Sequence, residues 1–417
     1  MENGHSDEAG DFMKPQPFNI MTKPIGPRCN IDCEYCYYLE KEKLFSSEKK
    51  FRMSDDVLES YIRQTVEASL EAGMPDINFA WQGGEPTMLG VNYFRKIVDL
   101  QTQYAPASSN VTNAFQTNGI LLDDEWGAFL KDNKFLVGIS IDGPKNVHDR
   151  YRIDRAGRPT FDKVMQGLDV LQRHGVEHNA LTTVHRANGG KGKEIYRFLK
   201  GLGFEFMQFI PIVERTGTGG LAGAPQFDMD PGNSVTKWSV SPKAYGKFLC
   251  DVFDIWFRGD IGQIFVQHFD VMLGKWVGSP GGLCVFAETC GNGLALEHDG
   301  SLYSCDHYVY PEYNLGRITE TPMRDMLWSD RQYTFGQDKA EKLTAQCKSC
   351  KFRVACNGGC PKHRISKSKS GEDGHNYFCE SYTMFFRHAE ARLVAMAQAL
   401  AQGRPASEAA SKGKLHK

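Results

Sequence analysis

The stretch Phe18–Glu40, FNIMTKPIGPRCNIDCEYCYYLE, decides the reading. It opens on a short apolar run, FNIM, with the look of a strand. Three cysteines follow at once, Cys29, Cys33 and Cys36, spaced C-x3-C-x2-C. A [4Fe–4S] cluster has four irons, and thiolates commonly ligate all of them. Three thiols in one tight loop bind three irons and leave the fourth open to chelate a small molecule. The competing chemistry is a zinc site, but zinc wants four ligands and no His closes this loop.

Downstream, strand and helix signals alternate as far as about residue 215. Strand-like runs are INFAW near 77, NAFQT near 113, FLVGISI from 135, HNALTTV from 178 and FEFMQFI from 204. The clearest helix follows Ser54, a good N-cap with Asp55 and Asp56 in the first turn. Leu58, Tyr61, Ile62, Val66 and Leu70 mark its apolar face at helical spacing. Further helices are expected near 91–104, 123–132, 161–174 and 192–202. Strands alternating with helices imply parallel β-structure. The fold class is therefore α/β. About six βα units suit a partial barrel, with its site at the carboxyl ends of the strands.

Residues 216–240 are rich in Gly, Pro, Asp and Ser and read as a loop; residues 242–258 return to a helical pattern. From about 283 the character changes to cysteines, glycines and short segments, as expected where metal ligation fixes the chain. A last helix is expected near 380–401. The division is then 1–14 unstructured, 15–240 barrel, 241–282 linking helical segment, 283–402 cysteine-rich region and 403–417 unstructured tail.

The chain has twelve cysteines in 417 residues. Eight crowd the last third: Cys284, Cys290, Cys305, Cys347, Cys350, Cys356, Cys360 and Cys379. Eight fit two sites of four thiolates, with a pair of structural zinc sites as the alternative. Cys250 is left over and reads as a buried free thiol in an apolar helix. The formal net charge is −2 and no long basic run stands out, which argues against nucleic-acid or anionic-membrane binding. The start is polar and acidic, unlike a secretory signal. No apolar run approaches the roughly 18 residues of a membrane span. The cytoplasm is the expected compartment, where clustered cysteines mean metal or redox chemistry more often than disulfides.

The cysteine triad resembles the signature of the radical S-adenosylmethionine (SAM) superfamily, whose open iron binds the amino and carboxylate groups of SAM. Tyr35 matches the aromatic residue common in that motif. WQGGEPT, with Gly83, Gly84, Glu85 and Pro86, resembles the GGEP motif that receives the SAM amino group, its glycines allowing close backbone approach. QTNG (Gln116–Gly119) and SIDG (Ser140–Gly143) also match. By that resemblance Ser140 and Arg152 would hold the SAM ribose or carboxylate, and Val213 would pack on the adenine; a structural role for each stays open. The eight later cysteines resemble the SPASM extension, which holds two auxiliary [4Fe–4S] clusters, for three in all. The resemblance assigns Cys284, Cys290, Cys305 and Cys360 to one auxiliary cluster, and Cys347, Cys350, Cys356 and Cys379 to the other.

The segments FAWQGGEPT, FQTNGILLDDEW, FLVGISIDGP, CDHYVYPEYNLG and CNGGCPKHR, taken with the triad, look like the anaerobic sulfatase-maturating enzymes over about residues 17–400. That family oxidises a Cys or Ser side chain of a sulfatase polypeptide to Cα-formylglycine. The resemblance implies a sulfatase polypeptide as partner and an external one-electron reductant of flavodoxin or ferredoxin type. It also implies Asp306 as the base for the substrate proton; a structural carboxylate near the cluster is the alternative. His307 and Tyr308 read as packing residues. Two rivals remain: a SPASM maturase acting on another ribosomally made peptide, and a non-catalytic iron–sulfur carrier. Many peptide maturases carry an N-terminal recognition domain, and about 28 residues ahead of Cys29 leave no room for one.

Overall fold

Six apolar runs become six parallel neighbours in one sheet: β1 (Asn19–Lys23), β2 (Asp76–Trp81), β3 (Asn110–Thr117), β4 (Leu136–Ser140), β5 (His178–Val184) and β6 (Phe206–Pro211). The computed structural model describes residues 14–45, 51–217, 220–221, 235–279 and 282–412. The expected unstructured N-terminus falls on residues 1–14, of which only the last is described.

Between the strands lie α1 (Asp55–Glu71), α2 (Val91–Tyr104), α3 (Asp124–Asp132), α4 (Lys145–His148), α5 (Phe161–Arg173) and α6 (Gly192–Gly201). Ser54 caps α1 as expected, its hydroxyl accepting from the Val57 amide. Leu58, Tyr61, Ile62 and Val66 are buried, but Leu70 is 44% exposed. The apolar stripe therefore ends one turn early, where α1 runs out past the sheet. The outer face of the sheet carries the core. Phe79, Trp81, Phe94, Phe115, Trp126 and Phe135 interlock there, mostly edge to face.

The stretch 216–240, read as a loop, begins as a small hairpin of β7 (Thr216–Gly217) and β8 (Gly220–Leu221). Much of the rest of that expectation lies outside the described residues. The linking segment does more than link. Its helices α7 (Pro242–Gly259) and α8 (Gln267–Trp276) flank β9 (Phe265–Val266), which joins the sheet beside β6 in parallel. At the other edge β10 (Gly293–Glu297) pairs in parallel with β1, and β11 (Ser301–Tyr303) and β12 (Asn314–Arg317) add on antiparallel. The cysteine-rich region thus begins as an extension of the barrel's own sheet. The helix Cys379–Ala401 then packs back on α7. The tail expected to lack structure from Gly403 instead holds a short helix, Glu408–Lys412, with Ala409 buried beneath it. No helix of the described residues is long and apolar enough to cross a membrane.

Candidate active site at the barrel mouth

The cysteine loop leaves the carboxyl end of β1 and is pinned by backbone and side-chain hydrogen bonds. The Asp32 amide donates to the Ile153 carbonyl at 2.8 Å and the Glu34 amide to Tyr151 at 3.0 Å. Asn118, just past β3, donates to Asn30 at 2.7 Å. These ties hold the thiols of Cys29, Cys33 and Cys36 around one side of a cavity of about 190 Å³. The other walls come from the carboxyl ends of β1 to β5: Lys23, the Gln82–Glu85 turn, Gln116–Asn118, Ser140 and Leu181. Tyr35 and Arg152 complete it.

Glu85 is the knot of this arrangement. It is 1% exposed, yet both carboxylate oxygens are engaged. Its Oε1 accepts from the Thr87 amide and hydroxyl and from the Thr117 hydroxyl; its Oε2 accepts from the Asn118 amide at 2.7 Å. The motif therefore locks two strand ends to the cysteine loop. Gly84 serves the same purpose. Its φ is +45°, and a Cβ there would run into the Arg28 carbonyl. The glycine is required by the approach of the cysteine loop, which is a different reason from the ligand approach expected above.

Asp142, the carboxylate of SIDG, was not singled out and is a second hub. It is fully buried. The Tyr35 hydroxyl donates to its Oδ2 at 2.6 Å, Arg152 Nε lies 3.0 Å from the same oxygen, and Arg152 Nη2 donates to Oδ1 at 3.2 Å. Burial works to raise the Asp142 pKa, but Arg152 and His185 hold it far below the usual carboxylate range. Ser140 lies beside this group and accepts from Gln116 Nε2 at 3.0 Å. Val213 does not line the cavity; it is buried in the main core. The chain has left β6 here, and one residue earlier Ile212 groups with Ile31, Cys33 and Tyr35 in a small apolar cluster.

Asp306 does not line the cavity either, but it stands directly behind its wall. Lys23 Nζ lies 2.5 Å from its Oδ1, and the Tyr37 hydroxyl donates to its Oδ2 at 2.8 Å. Both partners line the cavity. Burial favours protonation, yet Lys23, His307 and these hydrogen bonds hold the Asp306 pKa down at about 2. Lys23 also donates to Gln82 Oε1 at 2.9 Å. His307 packs edge-on to Tyr37, with its Nδ1 3.5 Å from Cys360 Sγ. Tyr308 is buried against Tyr313 and Phe335, a packing role. Lys23 carried a usable signal: a cation ending an otherwise buried strand demands a partner.

The thiols interact electrostatically in three separate sets. Cys29, Cys33 and Cys36 perturb one another. Cys284, Cys290, Cys305 and Cys360 form a second set, and Cys347, Cys350, Cys356 and Cys379 a third. Burial, with Glu85 adding to it, pushes Cys29 up to about 12, and burial raises Cys33 and Cys36 as well. Buried thiols of this kind would ionise only against a compensating cation, which is what clustered iron provides. Cys250 stands apart on α7, half-buried and not fully buried as expected.

Residues 24–199 match the radical SAM superfamily, and residues 284–351 match an iron–sulfur cluster-binding domain, SPASM. A serine-type anaerobic sulfatase-maturating enzyme of Bacteroides thetaiotaomicron is 43% identical over 375 residues, 89% of each chain. A cysteine-type enzyme of Clostridium perfringens is 33% identical over 387 residues, covering 91% of this chain and 98% of that one. The solved structure of native anSMEcpe with bound AdoMet and a peptide has a TM-score of 0.78 at 33% identity, over 92% of this chain and 99% of the other. Likeness of this extent is settled by sequence and fold together: the chain belongs to the anaerobic sulfatase-maturating enzymes of the radical SAM superfamily.

Proposed function

We propose that this chain oxidises one Cys or Ser side chain of a sulfatase polypeptide to Cα-formylglycine under anaerobic conditions. One observation carries the reading: a single cavity has three cysteine thiols on one wall and, on another, the two residues that grip Asp306. Cys29, Cys33 and Cys36 hold a [4Fe–4S] cluster with one open iron, and Gly84, Ser140, Arg152 and Tyr35 border the space for SAM. When bound, that pair supplies abstraction of a hydrogen atom from an unactivated carbon. Val213 drops out of this set, and Ile212 stands in its place beside the cysteine loop.

Asp306 is the base for the substrate thiol or hydroxyl. Lys23 and Tyr37 keep it ionised and fix both oxygens, so that the proton is accepted at a stated place. The low pKa of about 2 makes Asp306 a weak base at rest. Its basicity rises if a substrate heteroatom takes the place of Tyr37 or Lys23. Cys284, Cys290, Cys305 and Cys360 hold one auxiliary cluster next to this base, and Cys347, Cys350, Cys356 and Cys379 the other. An external carrier of flavodoxin or ferredoxin type supplies the starting electron. Eleven cysteines committed to clusters rather than to disulfides fit a reducing compartment, the cytoplasm.

The test is anaerobic incubation of the reconstituted protein with SAM, a reductant and a sulfatase peptide in Cys and Ser forms, followed by mass spectrometry. Formylglycine in at least one form is the expected result. Deoxyadenosine without any aldehyde from either peptide would contradict the reading.

A further inference from the structure

The third thiol set, Cys347, Cys350, Cys356 and Cys379, lies under an uneven surface. Residues 346–392 carry nine Lys and Arg against four Asp and Glu, in a chain whose net charge is −2. Some of these cations are matched: Lys351 pairs with Glu390, Lys367 with Asp373 and Arg392 with Asp254. Lys348, Arg353, Lys369 and Arg387 have no carboxylate partner among the described residues. Lys369 and Arg387 rim an open groove of about 800 Å³ whose lining includes Cys379. Lys348 and Arg353 flank Cys347, Cys350 and Cys356 in the chain.

Next to Arg353 in the chain stands Val354, 79% exposed, the most exposed of the large apolar side chains described. It lies between Cys350 and Cys356 in the chain. A lone exposed aliphatic among unpaired cations, over a set of thiols, is the anatomy of a small transient contact. None of these four cysteines lines the barrel cavity. The other auxiliary set lacks this surface. Cys284 is exposed, but Lys339 beside it is buried and engaged by the carbonyls of Cys284, Val285 and Ala287.

We propose that Lys348, Arg353, Lys369 and Arg387 around Val354 form the docking face for an acidic one-electron carrier protein. This rests on the reading that the third thiol set holds a redox centre. Oxidation of the side chain releases one electron beyond the hydrogen atom abstracted. The carrier arrives oxidised and is reduced by that one electron; no atom or proton crosses the face. Charge complementarity steers the encounter and sets its rate more than its lifetime.

The probe is a purified acidic flavodoxin, titrated against the anaerobic, iron-loaded full chain, with basic cytochrome c as the control. Wild-type binding should weaken steeply as salt rises. The quadruple variant Lys348→Glu, Arg353→Glu, Lys369→Glu, Arg387→Glu should bind flavodoxin at least ~10-fold more weakly, about 1.4 kcal/mol. Its iron content and dithionite-driven deoxyadenosine formation, which need no protein carrier, should match wild type. Val354→Glu alone, at so exposed a position, should fold and still weaken binding. Equal flavodoxin affinity in wild type and variants, or cytochrome c bound as tightly as flavodoxin, would overturn the docking face and leave the activity standing. No deoxyadenosine from wild type with dithionite and SAM would overturn the activity as well.

Discussion

The two cysteine-bearing regions of this molecule are built in opposite order. At the barrel mouth, regular strands and an aromatic core come first, and the loop with Cys29, Cys33 and Cys36 is laid onto them by backbone hydrogen bonds and the Glu85 knot. In the C-terminal region the segments that carry Cys347, Cys350 and Cys356 are short. The helices Ala345–Lys348 and Arg353–Cys356 have four residues each, too few to be stable alone. There the thiols come first and order the chain. The lesson is that one ligand chemistry serves catalysis when the fold supplies the frame, and serves as the frame when the fold does not.

The sharpest way to break this comparison is to remove one thiol from each region. Cys29→Ala should abolish SAM cleavage, with about a third of the iron lost if three [4Fe–4S] clusters are carried, and circular dichroism close to wild type. Cys356→Ala should instead loosen the C-terminal region, visible as faster amide exchange over residues 344–378. Residual deoxyadenosine at the wild-type rate from Cys29→Ala would refute its assignment. Asp306→Asn comes next. It should retain iron and SAM cleavage yet lose formylglycine by ~10²–10⁴-fold, the usual range for a positioned base. Wild-type aldehyde from that variant would remove Asp306 as the base.

Smaller effects sharpen the picture of the frame. Gly84→Ala must relieve a clash with the Arg28 backbone at positive φ and should cost roughly 1–3 kcal/mol in stability, read from denaturant unfolding. Little change in the unfolding midpoint would show that the cysteine loop yields at no cost. Tyr35→Phe removes one hydrogen bond to a buried carboxylate and should cost about 1.5–3 kcal/mol, within the range set for Gly84→Ala, with Arg152 still neutralising Asp142.

Much of this was legible in the sequence. All six strand runs and the helices between them lie where periodicity put them, because each is half-buried on a sheet and repeats its burial at a fixed period. The mutual electrostatic perturbation of the thiols runs within three groups. Three things were not legible. Val213 and Ile212 are adjacent apolar residues, and their sequence does not tell which one faces the cysteine loop. The Asp142 hub draws on Tyr35, Arg152 and His185, from separate segments of the chain, and no local pattern records that convergence. The extension of the sheet by β10 depends on a long-range parallel pairing that composition does not encode. In the C-terminal region spacing was informative for ligands and nearly silent for backbone, since a chain shaped by ligation needs little apolar periodicity.

The central claim is that the triad alone leaves an iron free for a small molecule. Electron paramagnetic resonance of the dithionite-reduced, iron-loaded chain, with and without SAM, tests it most directly. SAM should shift the signal of one cluster, Cys29→Ala should remove the SAM-sensitive component, and the other two components should persist. A spectrum that SAM leaves unchanged in the wild-type chain would contradict it.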